Sequence, residues 1–277
     1  MTTAMLNVHA DELMFLAASS TPETASHDLA VMDLMSRQVG GLVTRSLVNE
    51  TQYMDRGLRA ATVLAAKPTL ETIIRGEEHT QAVAAAVTDN IHALATTILK
   101  SRTLSPRAID AHNGREAYNQ FVGRMSEIGA FGVYEWGVAH GLRDERAYAL
   151  PATRQQDSGY RRKHGLSLAT DIVIREPGKI EIPVQVKTSD DDAGRYHRDI
   201  AFVTISRLLE DEYLRPRQLL IYLATRDNDK LGLIHQALDE RLEEARTESV
   251  QGNSLVKAVR SIKHVFGGRG GNRTLNP

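Results

Sequence analysis

Between residues 171 and 187 the chain reads DIVIREPGKIEIPVQVK, and this segment predicts a β-hairpin. Both arms are rich in Ile and Val, the β-branched residues that suit a pleated strand. The centre, Glu176-Pro-Gly-Lys179, is typical of a turn, since Pro presets φ and Gly accepts a positive φ. The sequence therefore predicts two antiparallel strands joined at Pro177 and Gly178.

The second arm of this hairpin alternates in character, as a strand with two different faces does. The face predicted to be apolar carries Ile180, Ile182, Val184 and Val186, and the other carries Glu181, Pro183, Gln185 and Lys187. A carboxylate, an amide oxygen and an amine that meet at one end of a hairpin can hold a divalent metal ion against a phosphate. The hairpin is therefore predicted to have one buried apolar face and one face that carries metal-binding and phosphate-binding polar groups.

Asp171 on the first arm and Gln185-Val186-Lys187 on the second resemble the PD-(D/E)XK nuclease superfamily, whose fold is restriction-endonuclease-like. In that family an Asp opens one strand and an acid-x-Lys triplet lies on the next. Here Thr170-Asp171 stands where Pro-Asp is usual, and Gln185 replaces the acid. The Gln form occurs in several branches of the superfamily, but it removes one negative charge from the site. An ordinary hairpin with solvated polar residues is the alternative interpretation.

The segments around the hairpin predict an α/β fold, namely a restriction-endonuclease-like mixed sheet flanked by helices, with a helical N-terminal region. Residues 125–140 are predicted to form a helix, 200–209 a second helix and 218–225 a buried strand. Strands that alternate with helices indicate a layered structure with crossover connections. This order of elements is also that of the superfamily, and the resemblance covers roughly residues 126–225.

The resemblance implies a site for Mg²⁺ or Mn²⁺ in which four residues are catalytic. Asp171, the Gln185 side-chain oxygen and Glu135 would hold the ion, and Lys187 would orient or deprotonate the attacking water. Glu181 shares the polar face with Gln185 and is a less favoured substitute for the missing acid.

Glu135 is chosen because many members of the superfamily carry a metal-binding acid on the helix before the first core strand. It is also the one acid between Ile128 and Leu142, in a run that otherwise looks buried. A lone carboxylate on an apolar helix face is unfavourable unless it is paired or bound to a metal ion. Extension of the side chain to solvent, or pairing with Arg143 or Arg146, is the alternative.

Two groups of basic residues are predicted to bind the phosphate backbone of DNA. The first precedes Asp171, and the second lies near the C-terminus in a stretch without acids. These candidate nucleic-acid-binding residues are Arg161, Arg162, Lys163, Lys257, Arg260 and Lys263. A solvated surface is the alternative for both groups.

The chain is predicted to have three parts. Residues 1–110 are helical by periodicity, notably over 29–47 and 68–100, and are interpreted as a scaffold or dimerisation region, which would make a homodimer, or as a target-recognition module. Residues 111–250 form the nuclease-like core. Residues 251–277 form a basic helix and a disordered tail.

Composition limits the function classes. The 277 residues carry a formal net charge of −1, so any DNA-binding surface must be a local patch. There are no cysteines, which excludes disulfides, thiolate zinc sites and cysteine nucleophiles. No apolar run approaches the ~18 residues of a membrane span, and the first residues lack the pattern of a signal peptide. We therefore expect a cytoplasmic protein with no membrane partner.

Together these features predict a Mg²⁺-dependent endonuclease that hydrolyses DNA phosphodiester bonds, of the restriction, defence or repair type. The alternative is a catalytically silent protein that binds nucleic acid or a partner protein through the same fold. Gln185 is the residue that keeps this alternative open.

The hairpin also carries a prediction about its register. A two-residue loop at Pro177-Gly178 would pair Arg175 with Ile180 and put Asp171 on the face away from Gln185. The hydrophobic pattern and the proposed chemistry both require the opposite parity. An odd-length loop or a β-bulge is therefore predicted.

Overall fold

The structure is a computed structural model that describes residues 2–49, 54–77, 79–100, 114–153, 156–159, 170–189, 200–210 and 212–267. Within these residues the N-terminal region contains α1 (Thr2–Ser19), α2 (Ala25–Asn49), α3 (Met54–Ala65), α4 (Lys67–Arg75) and α5 (Gln81–Lys100). The long helix α6 (Gly114–Ala139) leads into four strands, β1 (Tyr148–Pro151), β2 (Ile172–Arg175), β3 (Ile182–Lys187) and β4 (Ala201–Thr204). A 3₁₀ turn (Ile205–Arg207) and helices α7 (Pro216–Thr225) and α8 (Asn228–Gly267) follow.

The four strands form one mixed sheet in the order β1-β2-β3-β4. β1, β2 and β3 are antiparallel neighbours, whereas β4 runs parallel to β3. A parallel pair needs a crossover connection, and here that connection passes through residues 190–199, outside the described part of the chain. The predicted α/β class, with a mixed sheet, flanking helices and a helical N-terminal region, is confirmed.

The β2–β3 hairpin has the predicted parity. Ile174 pairs with Ile182, so the intervening loop has an odd number of residues, and the two-residue loop that pairs Arg175 with Ile180 does not form. The Lys179 N–H donates to the Glu176 carbonyl at 3.1 Å across the turn, and Gly178 has a φ of 71°. A residue with a Cβ would be strained at that φ, which is why the turn requires glycine there.

The predicted apolar and open faces of β3 need correction. Ile180, placed on the apolar face, lies before the strand and is 59% exposed. Pro183 and Gln185, placed on the open face, are both buried. The reason is that β3 lies inside the sheet and contacts both α6 and α8, so residues on both of its faces are covered.

The two elements predicted after the hairpin form the opposite kind of secondary structure: the predicted helix contains a strand and the predicted strand is helical. Residues 200–209, predicted as a helix, contain β4 and the 3₁₀ turn, whereas 218–225, predicted as a strand, lie in the helix α7. Burial alternates along β4, as on a strand. In α7, Leu219, Leu220 and Leu223 are buried with helical spacing, and Pro216 begins the helix.

The predicted helix over 125–140 is confirmed as the C-terminal part of α6. Two of its glycines allow another helix to approach closely. A Cβ on Gly129 would lie 2.5 Å from Leu219 of α7, and one on Gly132 would lie 2.8 Å from Leu223. Glycines that are unfavourable for an isolated helix are therefore explained by the packing of α6 against α7.

The N-terminal helices and the sheet region share one hydrophobic core, which extends from Ala10 to Leu242. α5 packs against α6 and α7, and α3 also contacts α6. The predicted helical run over 68–100 is divided at Gly76, which ends α4 in the left-handed conformation. The predicted boundary at residue 251 falls inside α8. No helix in the described ranges is long and apolar enough to cross a membrane.

Candidate active site

Asp171 lies where three strands meet. Its N–H donates to the Val184 carbonyl at 2.9 Å, and its own carbonyl accepts the Ala152 N–H at 2.9 Å. Since Ile172 is the residue paired with Val184, two residues of this arm oppose one on β3, as in a β-bulge. The bulge re-aims the Asp171 side chain, whose Oδ2 accepts the Val186 N–H at 2.8 Å.

Gln185 stands between the two residues of β3 that bond Asp171. It is 5% exposed, and its Oε1 atom has no hydrogen-bond partner among the described residues. A buried acceptor without a donor costs about 1–3 kcal/mol. Among the described residues no donor reaches this oxygen, which leaves it able to donate an electron pair to a bound cation.

Lys187 ends β3, two residues after Gln185, and is partly exposed. Its ammonium group lies close enough to Asp171 to lower the pKa of that carboxyl. The structure therefore brings three of the four predicted catalytic residues, Asp171, Gln185 and Lys187, to the same end of the hairpin.

Glu135, the fourth, lies elsewhere. Its Oε1 accepts the Ala149 N–H at 2.7 Å, and its Oε2 lies 3.5 Å from His79 Nε2. Ala149 pairs with Ile174, three residues along β2 from Asp171, which is roughly 10 Å away. The predicted grouping of Glu135 with Asp171 is thus corrected, because this carboxylate joins α6 to β1 and to the residues before α5. The suggested partners Arg143 and Arg146 bind other acids.

The acid that α6 places beside Asp171 is Glu127. Its charge contributes to a raised pKa of the Asp171 carboxyl. The neighbouring Ser126 hydroxyl lies 3.0 Å from that of Thr188, which fixes this part of α6 against the end of β3. Arg124 holds Glu127 through a hydrogen bond of 2.6 Å to Oε2. The sequence reasoning missed Glu127 because it looked for the metal-binding acid only between Ile128 and Leu142, although the predicted helix began at residue 125.

Burial, with repulsion from Glu127, raises the pKa of Asp171 to about 8. The Val186 amide, Arg124 and Lys187 oppose this rise without cancelling it. A carboxyl group whose charged form is disfavoured by burial and by a neighbouring carboxylate is characteristic of functional sites. A bound cation or substrate group can offset that unfavourable charge at such a site.

The carboxylates open into a cleft of ≈ 170 Å³. α3, α6, β1, β2 and the segments before β2 contribute to its walls. Its lining residues are Arg59, Thr62, Arg124, Glu127, Pro151, Ala152, Asp157, Thr170, Asp171 and Ile172. The Thr170 hydroxyl, buried and without a partner among the described residues, is a second oxygen available at this position.

The donor set fits a hard divalent cation, because it consists of carboxylate, amide and hydroxyl oxygens. No group of three His, Cys, Asp or Glu side chains suited to a metal ion occurs in the described ranges. Three acids line the cleft, Glu127, Asp157 and Asp171. Gln185 is not one of the lining residues, and it is a candidate ligand through its buried Oε1 at the same end of the hairpin. Glu181 does not join them, since it forms an ion pair of 2.7 Å with Arg175 Nε.

The predicted DNA-binding residues cannot be added to this geometry. Arg161, Arg162 and Lys163 lie outside the described residues. Lys257, Arg260 and Lys263 lie in α8, where the backbone is helical but the side chains are outside the described part of the structure.

A comparison of the chain with protein-family models, curated proteins and solved structures finds no match.

Proposed function

We propose that this protein is a Mg²⁺-dependent endonuclease that hydrolyses DNA phosphodiester bonds, of the restriction, defence or repair type, on a restriction-endonuclease-like core. The observation that carries the proposal is that, at one end of the hairpin, the Asp171 pKa is raised and the buried Gln185 oxygen has no hydrogen-bond partner among the described residues. An isolated structural carboxylate would explain the first feature, but it would not explain a buried Gln185 oxygen at the same end of the hairpin that has no donor among the described residues.

Asp171, Gln185 and Glu127 would hold the ion, with Glu127 in the place first assigned to Glu135. When bound, Mg²⁺ or Mn²⁺ supplies positive charge at the phosphate and lowers the pKa of water. Two carboxylates and one neutral amide leave the site with one negative charge fewer than three acids would. We therefore expect weaker metal binding than an acidic residue at position 185 would give.

The chain's own residues carry the remaining roles. Lys187 presents an ammonium group near Asp171, where it can orient the attacking water and balance charge that develops on the phosphate. The Val186 amide fixes the Asp171 carboxylate by a hydrogen bond, and Arg124 fixes that of Glu127. These contacts hold the acids in place before any ligand binds, which reduces the ordering required during the reaction.

A nicking assay tests the proposal. Purified protein is incubated with supercoiled plasmid and Mg²⁺ or Mn²⁺, and the parental chain is compared with Lys187→Ala and Lys179→Ala. Loss of a group that assists proton transfer typically slows a reaction by ~10²- to 10⁴-fold, which is the expectation for Lys187→Ala. Lys179 is the matched control, because it lies at the turn of the same hairpin and should cut at the parental rate.

Parental nicking by Lys187→Ala would show that the nuclease assignment is wrong. A parental protein that binds DNA but nicks nothing with either ion would instead favour the silent binding protein. Gln185 is the specific observation in favour of that second function, so Gln185→Glu is the informative variant. In an active enzyme it should tighten Mg²⁺ binding in a calorimetric titration, because it adds a carboxylate to an oxygen site.

A further inference from the structure

One wall of the cleft comes from the N-terminal helical region. Arg59 and Thr62 of α3 line it together with the carboxylates of the candidate site. The Thr62 hydroxyl is occupied, since it donates to the Leu58 carbonyl at 2.9 Å within the helix. Arg59 is thus the residue through which α3 presents charge to the cleft.

Among the described residues, most donors of the Arg59 guanidinium have no hydrogen-bond partner. Its one hydrogen bond among the described residues runs from Nη2 to Asp11 Oδ1 at 3.3 Å, and its side chain is 29% exposed. A guanidinium has five N–H donors, and one long bond engages a single donor. Arg124, the other cation of the lining, is instead turned toward Glu127.

The charges of the cleft indicate what Arg59 would bind. Glu127, Asp157 and Asp171 oppose Arg59 and Arg124, which leaves an excess of one negative charge when all are ionised. A divalent cation would reverse that sign, and the loaded cleft would then suit a singly charged anion. A phosphodiester has this charge, and the planar fork of a guanidinium matches its two free oxygens.

We propose that Arg59 is a positioning residue that holds a backbone phosphate of a DNA strand in the cleft beside Asp171. This inference rests on the proposed function and assigns the N-terminal helical region a part in substrate binding. Since α3 and α6 pack together in the common core, α3 presents Arg59 from a fixed position relative to the carboxylates on α6 and β2.

A structural role is the competing explanation, because the Arg59–Asp11 pair also joins α3 to α1. The matched variants are therefore Arg59→Gln, which removes the cation, and Asp11→Asn, which breaks the same pair but keeps the guanidinium. Both are made in the Lys187→Ala background, so that DNA is not consumed. Binding of a short fluorescein-labelled duplex is followed by anisotropy in Mg²⁺ at several salt concentrations.

Arg59→Gln should weaken binding roughly ten- to hundredfold, the effect of losing a charge-assisted hydrogen bond. It should also reduce the slope of log affinity against log salt by about one, the value for one phosphate contact. Asp11→Asn should leave the slope unchanged and the affinity equal or higher. In the active parental background, Arg59→Gln should raise KM more than it lowers kcat.

Equal weakening by Arg59→Gln and Asp11→Asn, or an unchanged salt slope for Arg59→Gln, would overturn the inference, as would a parental protein that binds no duplex. The two proposals can fail separately. If the parental protein nicks plasmid while Arg59→Gln keeps its affinity and slope, the nuclease stands and the role of Arg59 is lost. If nothing is nicked but Arg59→Gln loses one phosphate contact, the positioning role stands without the chemistry.

Discussion

The two ends of the β2–β3 hairpin shift the pKa of a carboxyl group in opposite directions. At the turn, Glu176 is surrounded by cations, with Arg246 at 2.8 Å, Lys179 at 2.8 Å and Arg143 in direct contact. Although burial opposes it, this cationic surrounding lowers the Glu176 pKa to about 2. At the other end, burial and Glu127 raise the Asp171 pKa to about 8.

The contrast distinguishes a carboxylate that stabilises the fold from one whose charge is unfavourable until a ligand binds. Arg143 reaches Glu176 from the segment that follows α6, and Arg246 reaches it from α8. This acid therefore joins the hairpin turn to the segment after α6 and to α8. Among the described residues, the cations that lower the Asp171 pKa are Arg124 and Lys187, and they do not cancel the effect of burial and Glu127. Removing the charge should therefore have opposite effects on stability at the two ends.

The largest expected effect on stability is at the turn. Glu176→Gln leaves two cations, Arg143 and Arg246, almost fully buried without their shared partner. Unfolding free energy should fall by about 3 kcal/mol, the low end of the range for a broken buried pair, because Arg143 keeps Asp239 and Arg246 keeps Glu243. Asp171→Asn should instead raise it by about 1 kcal/mol in metal-free protein, since a disfavoured charge is removed. Urea unfolding in EDTA measures both, and destabilisation by Asp171→Asn would contradict the comparison.

The pH dependence of metal-free stability should show the same opposition. The Glu176 pKa is lowered from 4.5 to about 2, so its stabilisation is present above pH 4.5 and is lost as pH falls toward 2. The Asp171 pKa is raised from 3.8 to about 8, so its protonated form favours the fold at low pH and stability is lost as pH rises through 8.

Differences between variant and parental unfolding curves isolate these two groups from others, such as His235, whose pKa burial lowers to about 4. The Glu176→Gln difference should shrink below pH 4.5. The Asp171→Asn difference should grow between pH 4 and 8. As pH rises, the variant's unfolding free energy minus the parental value should therefore become more negative for Glu176→Gln and more positive for Asp171→Asn. If both signed differences moved in the same direction, the two ends of the hairpin would not differ as described.

The smallest expected effect comes from Lys179, which also binds Glu176 but is half exposed. Exposed ion pairs contribute little because water screens them, so Lys179→Ala should lower unfolding free energy by less than about 1 kcal/mol. A loss equal to that of Glu176→Gln would mean that Lys179, rather than the two buried arginines, holds the turn. Thermal unfolding monitored by circular dichroism distinguishes these outcomes.

Local features of the chain were sufficient to predict the hairpin. Pro177 and Gly178 specify the turn, alternation specifies the strands, and the parity follows from the need to place Ile172 and Ile174 opposite the apolar residues Val184 and Ile182. These interactions join residues close in sequence, so few alternative arrangements compete. The same reasoning failed for 201–225, because short apolar runs fit a buried strand or a buried helix equally well. Only pairing with β3 makes residues 201–204 a strand.

The choice between the two acids on α6 shows the same limit of sequence-based prediction for the candidate site. Glu127 and Glu135 lie eight residues apart on one helix, a separation of about 12 Å. The sequence indicates that this helix carries an acid near the sheet, but the level at which α6 crosses the strands decides which acid meets Asp171. That level depends on long-range contacts, including Ser126 with Thr188 and Gly129 with Leu219.

Asp171, Gln185 and Lys187 could thus be grouped from the order of residues alone, because backbone pairing across one turn brings them together. The burial of the Gln185 oxygen, the replacement of Glu135 by Glu127 and the presence of Arg59 in the cleft arise from packing between segments far apart in the chain. Burial changes the energetics of a polar group more than its identity does, and burial is a property of the assembled core.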